Sequence, residues 1–370
     1  MRSGRPAAGN TVFFPLATAY AVFALPASVL AMLGLTKAFP ALAAPIGHAH
    51  ELLFGFALAV VAGNQLGPMT KPRLALLAGS WLMARVTFLM APDSAAAGLA
   101  NIAFAALLAA QLAPRLFVAA KKWRNQALPL VLTAICAGDI AFQLAPYAGL
   151  AAARQPILIT TVLLFALLLL FMGGRLIAPT VAGQFYRQGD KLEARVQPRL
   201  EGGLIVAMAI AAGASLFAGS SVFVMLAAAG TAVSGALSAV RLARWRLWAL
   251  RGRPDLLCLA AGYAWLTVGL LLYGTALATG RYQTAALHII TVGALGTLTL
   301  NVMAMTWTLK ARQNPSRARM RIGATALIGV AALARVLAVF DYRMLLLIAS
   351  TAWGSAFALL LVLLVRLRTT

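Results

Sequence analysis

Apolar residues run along this chain in blocks of about twenty, separated only by short clusters of polar, Pro or Gly residues, with no long polar interval anywhere. A stretch of about 20 apolar residues spans a bilayer. The pattern therefore predicts an all-α fold, a polytopic membrane helix bundle with twelve transmembrane helices that forms a single transmembrane domain over residues 1–370. The helices are expected near 11–35, 46–66, 74–91, 95–118, 126–145, 156–180, 202–218, 221–243, 256–278, 283–309, 321–340 and 344–365.

Composition agrees: 62% of the residues are AVILMFWYC, 11% are charged, and the mean hydropathy is +0.89. These values exclude a soluble enzyme, a nucleic-acid binder and a disulfide scaffold. The formal charge of +23 would suggest a polyanion partner on a soluble protein, but its placement carries a different message. Of the 31 Lys and Arg residues, 25 fall in the termini and even-numbered loops, and four (Lys37, Arg154, Arg281 and Arg343) in the odd-numbered loops. Cytoplasmic loops of bacterial membrane proteins are enriched in Lys and Arg. The split predicts a multi-pass protein of the bacterial inner (cytoplasmic) membrane with both termini cytoplasmic, the lipid bilayer as its partner and no nucleic acid. Arg2 and Arg5 ahead of an apolar run, with Ala41-Leu42-Ala43 beyond it, resemble a cleavable signal, but the run of about 25 residues exceeds a signal core of ~7–15; it is assigned as helix 1. Cys136 and Cys258 are read as small apolar core residues at different depths, and neither belongs to a covalent haem motif. The longest polar interval, 183–203, is read as a solvated cytoplasmic linker.

Two basic residues, Arg85 and Arg335, fall inside helices, and ionisable residues inside a membrane point to function. All three histidines lie at outer helix ends: His48 and His50, with Glu51, in HAHELLFGF of helix 2, and His288 in ALHIITVGALG of helix 10. Arg85, Asp139 and Arg335 sit in the outer halves of helices 3, 5 and 11. Arg85 and Arg335 each occur as Ala-Arg-Val after a histidine-bearing helix, a weak repeat relating helices 2–3 to 10–11. Histidines of two helices at one depth suit axial ligation of a haem iron, with the arginines pairing with propionates. Zinc is a poorer fit, because a closed zinc site wants about four N, S or carboxylate ligands and only His48, His50, Glu51 and His288 are available. His48 and His50 lie about 200° apart around a helix, so one iron takes one of them. His48 shares its face with Glu51, Gly55, Ala59 and Ala62, a small-residue strip open to a flat macrocycle, and is favoured over His50, which shares its face with Phe54, Ala57 and Val61. His50 and Glu51 are the candidates for a second metal, copper.

HAHELLFGF, GGRLIAP (173–179) and ALHIITVGALGTLTLNVM resemble the NnrS family of haem- and copper-containing membrane proteins associated with denitrification and nitric oxide stress. The resemblance implies a twelve-helix inner-membrane protein that holds haem b through histidines of these motifs, with nitric oxide or a related small molecule as partner. The chain has GNQLGPMTKP (63–72) and TLKARQNP (308–315) where the family usually has Asn-Trp-Thr-Gly and Gly-His-Thr-Gly, and the missing histidine weakens a second metal site. The histidines of helices 2 and 10 are also similar to the low-spin haem pair of haem-copper oxidases. Oxidase activity is not expected, since the further histidines of helices 6, 7 and 10 that a binuclear centre needs are lacking. Two rival readings follow from the residues: a secondary transporter with Asp139, Arg85, Arg335 and Glu51 along a substrate path, or a scaffold in which Arg85 pairs with Asp139, and Arg335 with Asp139 or Asp341.

Overall fold

The computed structural model describes residues 6–316 and 319–368; Arg2, Arg5 and Arg317, counted above among the basic loop residues, lie outside the described residues. Twelve long helices follow one another in antiparallel succession: α1 (Asn10–Met32), α2 (Pro45–Gln65), α3 (Lys71–Met90), α4 (Ala95–Ala119), α5 (Trp123–Leu144), α6 (Ala151–Arg187), α7 (Pro198–Ser215), α8 (Ser221–Arg244), α9 (Pro254–Thr279), α10 (Gln283–Lys310), α11 (Arg319–Leu337) and α12 (Tyr342–Arg368). Eleven are long and apolar enough to cross a membrane. The remaining one, α7, has 18 residues, carries Arg199 and Glu201 in its first turn, and packs between α6 and α8. Among the described residues there is no strand, only an isolated bridge between Ala7 and Met69. The chain is a multi-pass, all-α membrane bundle.

Two expected boundaries change for identifiable reasons. Helix α1 stops at Met32 because Gly34 takes φ +72°, and the N–H groups of Gly34 and Leu35 return to Ala31 O and Leu30 O at 3.0 and 2.8 Å. This doubly bonded, left-handed ending satisfies two of the last carbonyls of the helix. Helix α6 continues to Arg187 although Pro179 should end it. Residues Gly173–Ile177 form a π turn just before that proline. Its wider winding relieves the clash a proline ring makes with the carbonyl four residues back.

Helices α2, α6 and α10 are the most deeply buried and contact one another at the centre. The other nine surround them, and α12 packs against α1 to close the ring. The inner helices recur every fourth element, and each contains a π segment: Glu51–Ala57, Gly173–Ile177 and Ile289–Gly296. Cys136 and Cys258 are buried and unbridged.

Candidate functional site

Because successive helices run antiparallel, α2 and α10 both begin at the end of the bundle opposite the start of α1 and the end of α12. There they border a cavity of about 410 Å³ that takes its walls from α1, α2, α6, α10, α11 and α12. His48 of α2, His288 of α10 and Arg335 of α11 all face this cavity; the rest of the lining is mostly aliphatic and aromatic, including Val29, Leu52, Phe56 and Trp353. Both histidines are half-buried. His288 Nδ1–H donates to Thr284 O, one turn back on its own helix, at 2.6 Å. Because a carbonyl only accepts, this bond fixes the tautomer and leaves a lone pair on Nε2. His48 Nδ1 is hydrogen-bonded to Ser28 Oγ of α1 at 2.5 Å, and when its N–H donates there, Nε2 is likewise free. Imidazole ligands of metals are held by such second bonds at the other nitrogen. Arg335, also half-buried, has no hydrogen bond or ion pair among the described residues. The carboxylates expected to pair with it are engaged elsewhere: Asp341 Oδ1 accepts from Met344 N–H at 3.0 Å, and Asp139 faces His50.

His50, two residues along α2, belongs to a different environment. It is completely buried and stacks on Phe88 with ring centroids 3.9 Å apart. Its Nδ1 lies 3.0 Å from Glu51 Oε1, and its Nε2 lies 3.1 Å from Asp139 Oδ1 and 2.8 Å from Gln143 Nε2. Arg85 Nη1 donates to Glu51 Oε1 at 2.5 Å, Arg85 Nη2 donates to Asn101 Oδ1, and Tyr20 O–H donates to Glu51 Oε2. All seven side chains are buried, in contributions from α1 to α5. Two carboxylates, a guanidinium and an imidazole sandwiched between the carboxylates form a cluster that can be electrically neutral, the condition for keeping charge in a medium of low dielectric constant.

The expected site residues therefore divide into two groups. His48, His288 and Arg335 meet in one cavity. Arg85 does not line it, being held by Glu51 and Asn101, and it pairs with Glu51 rather than with Asp139. His50 and Glu51 do not fit a copper site: both nitrogens of His50 and both oxygens of Glu51 already have partners. No group of three or more His, Cys, Asp or Glu stands ready for a metal ion among the described residues. The path imagined for a transported substrate is likewise divided, three of its four ionisable residues being locked in the cluster.

Ser28 and Thr284, which orient the two cavity histidines, were not singled out from the sequence: a hydroxyl such as that of Ser28 in an apolar helix ordinarily bonds its own backbone, and Thr284 acts through its main-chain carbonyl, which any residue supplies. Arg241 was missed too, having been counted as a loop residue. It is buried on α8, and its Nη1 donates to Leu170 O at 2.9 Å, beside the π turn of α6. The Gly-Gly of GGRLIAP sits against two side chains: a Cβ on Gly174 would lie 1.8 Å from Arg241 Nη2, and one on Gly173 2.5 Å from Tyr263 Cε2. Gly47, next to His48, is constrained in the same way: the 40–43 turn passes so close that a Cβ would lie 1.8 Å from Ala41 O. The π segments of α2 and α10 each begin one residue after a histidine, His50 and His288, in the motifs already picked out by their residues. Such segments are rare and often mark functional positions.

Fold and cavity together define a multi-pass membrane protein with a histidine-bearing pocket buried at one end of its bundle. The model of the family described as NnrS protein matches residues 7–369, so the chain belongs to the NnrS family. No curated protein matches it.

Proposed function

We propose that this protein binds haem b between His48 and His288, and that it acts in the response to nitric oxide or in denitrification, as the family resemblance implies. The observation that carries the first part is the pairing of two imidazoles from separate inner helices in one cavity, each with Nδ1 bonded and Nε2 available. The donor set fits: neutral imidazoles satisfy the iron without bringing charge into the bilayer, and the unpaired Arg335 supplies a cation for a carboxylate of the group. Bound there, haem supplies one-electron redox chemistry. Thr284 and Ser28 hold the rings against rotation, Arg335 anchors the anionic edge, and the apolar wall of Val29, Leu52, Phe56 and Trp353 keeps water out.

Visible absorption and extractable haem of the full-length protein, produced with haem available, test this reading; colourless protein overturns it. Arg335→Leu refines the test. A positive charge near the iron disfavours the more positive ferric state. The variant is expected to retain its six-coordinate spectrum and normal membrane level, but with a lower reduction potential and looser haem retention. An unchanged potential removes the role assigned to Arg335.

The orientation we propose puts both termini in the cytoplasm of a bacterium and the histidine cavity toward the outer face, supported by the 25-to-4 split of basic residues. Reporter fusions after Lys122 and Arg251 are expected to read as cytoplasmic, and fusions near Lys37 and Arg281 as external. An external signal after Arg251 contradicts it.

A further inference from the structure

The opposite end of the bundle, where the basic loops gather, holds a second cavity of about 780 Å³ beside the first turn of α11. Its polar lining comes from Thr308, Gln313, Asn314, Ser316, Arg319 and Arg321, with no carboxylate among them. Met320, Ile322 and Leu363 form an apolar side.

Arg321 is the unusual member. It is 2% exposed, and its Nη2 donates to Pro315 O at 3.0 Å, while Nε and Nη1 have no hydrogen-bond partner among the described residues. Asp255 beneath it does not neutralise it. Both oxygens of that carboxylate are bound by Arg253, at 2.9 and 2.6 Å, and the nearer approach of Arg321 Nη2 is 4.0 Å. One carboxylate thus faces two guanidinium groups, and the surplus positive charge is buried with two donor nitrogens unused among the described residues. A buried guanidinium in that condition is costly, and an anion in the adjoining cavity removes the cost.

We infer that this cavity binds a phosphate-bearing anion. A tetrahedral phosphate offers three or more acceptor oxygens to a site furnished with two guanidinium groups, hydroxyls and amides, and guanidinium forks suit phosphate geometry. Two sources share this chemistry, the headgroup of an anionic phospholipid and free phosphate. Basic pockets between helices are known places for anionic headgroups, and here the apolar side offers a surface for acyl chains.

The test uses the full-length protein in mild detergent and follows its thermal midpoint during titration with phosphatidylglycerol, phosphatidylcholine, inorganic phosphate or chloride at matched ionic strength. Phosphatidylglycerol, inorganic phosphate or both are expected to raise the midpoint with saturation, where phosphatidylcholine and chloride do not. Stabilisation by the lipid alone assigns a headgroup, and stabilisation by both assigns the phosphate group itself. Arg321→Gln is expected to weaken the apparent affinity at least tenfold. Arg319→Gln, at an exposed position, is expected to weaken it severalfold, and it keeps the test decisive if the first variant does not fold. Absence of selective stabilisation in the parent protein, or equal affinity in a folded Arg319→Gln variant, overturns the proposal.

Discussion

His288→Ala is expected to yield protein without haem or with a five-coordinate spectrum, and His48→Ala the same, whereas His50→Gln leaves the ligation spectrum of the recovered protein intact. The reason lies in what each ring has already committed. His288 spends Nδ1 on Thr284 O and His48 spends Nδ1 on Ser28 Oγ, so each keeps one nitrogen for the cavity. His50 has partners at both nitrogens and none of its ring lines the cavity. Helical spacing favours His48 over His50 through its small-residue face, and the hydrogen bonds of the two rings point the same way. Optical and electron paramagnetic resonance spectra of the three variants check the prediction. Loss of six-coordination in His50→Gln together with its retention in His48→Ala would falsify the assignment.

The other large effect is structural. Glu51→Leu leaves the Arg85 guanidinium, 1% exposed, without its carboxylate partner and with neutral side chains such as Asn101 against it. Removing one partner of a buried pair costs roughly 3–5 kcal/mol, because the stranded charge stays desolvated. Set against total stabilities of about 5–15 kcal/mol, that loss is expected to clear most of the protein from the membrane. The double variant Glu51→Leu with Arg85→Leu removes both charges and is expected to recover a substantial part, since no guanidinium is left stranded and His50 keeps Asp139 and Gln143 as partners. Membrane level of a fluorescent fusion and the thermal midpoint of purified protein measure both. Wild-type levels of the single variant would show that the cluster contributes little to folding.

The twelve helices were legible because the bilayer imposes a length and a hydropathy on each of them, and the starts of α4, α8 and α10 fall where the pattern places them. Local winding was not. A π turn keeps the apolar composition of the helix around it, so hydropathy is blind to the segments at Glu51–Ala57 and Ile289–Gly296. In α6 the signal was present in the residues, Gly173-Gly174 ahead of Pro179, but read as a helix end rather than as a widened turn. Depth along the membrane was readable, and it correctly put His48, Glu51, Arg85, Asp139, His288 and Arg335 near one end. Azimuth was not: which way Arg85 and Arg335 turn depends on helix neighbours, and the shared Ala-Arg-Val context hides opposite fates, Arg85 paired with Glu51 and Arg335 unpaired at the cavity. The central position of α2, α6 and α10 also needed the tertiary structure, since eleven of the helices are long and apolar enough to span and look alike by hydropathy.

The closure of α12 on α1 bears on the order of biogenesis. Leu25, Val29 and Met32 of the first helix and Tyr342, Leu346, Ala349 and Trp353 of the last stand on the same cavity, and Trp353 Nε1 donates across to Ala21 O at 3.1 Å. His48 emerges from the ribosome early, but the pocket around it lacks a wall until the final segment has been translated and inserted. On the haem reading proposed above, cofactor capture would be a late, post-insertional step, because a chain that ends before Tyr342 lacks the α12 side of the pocket.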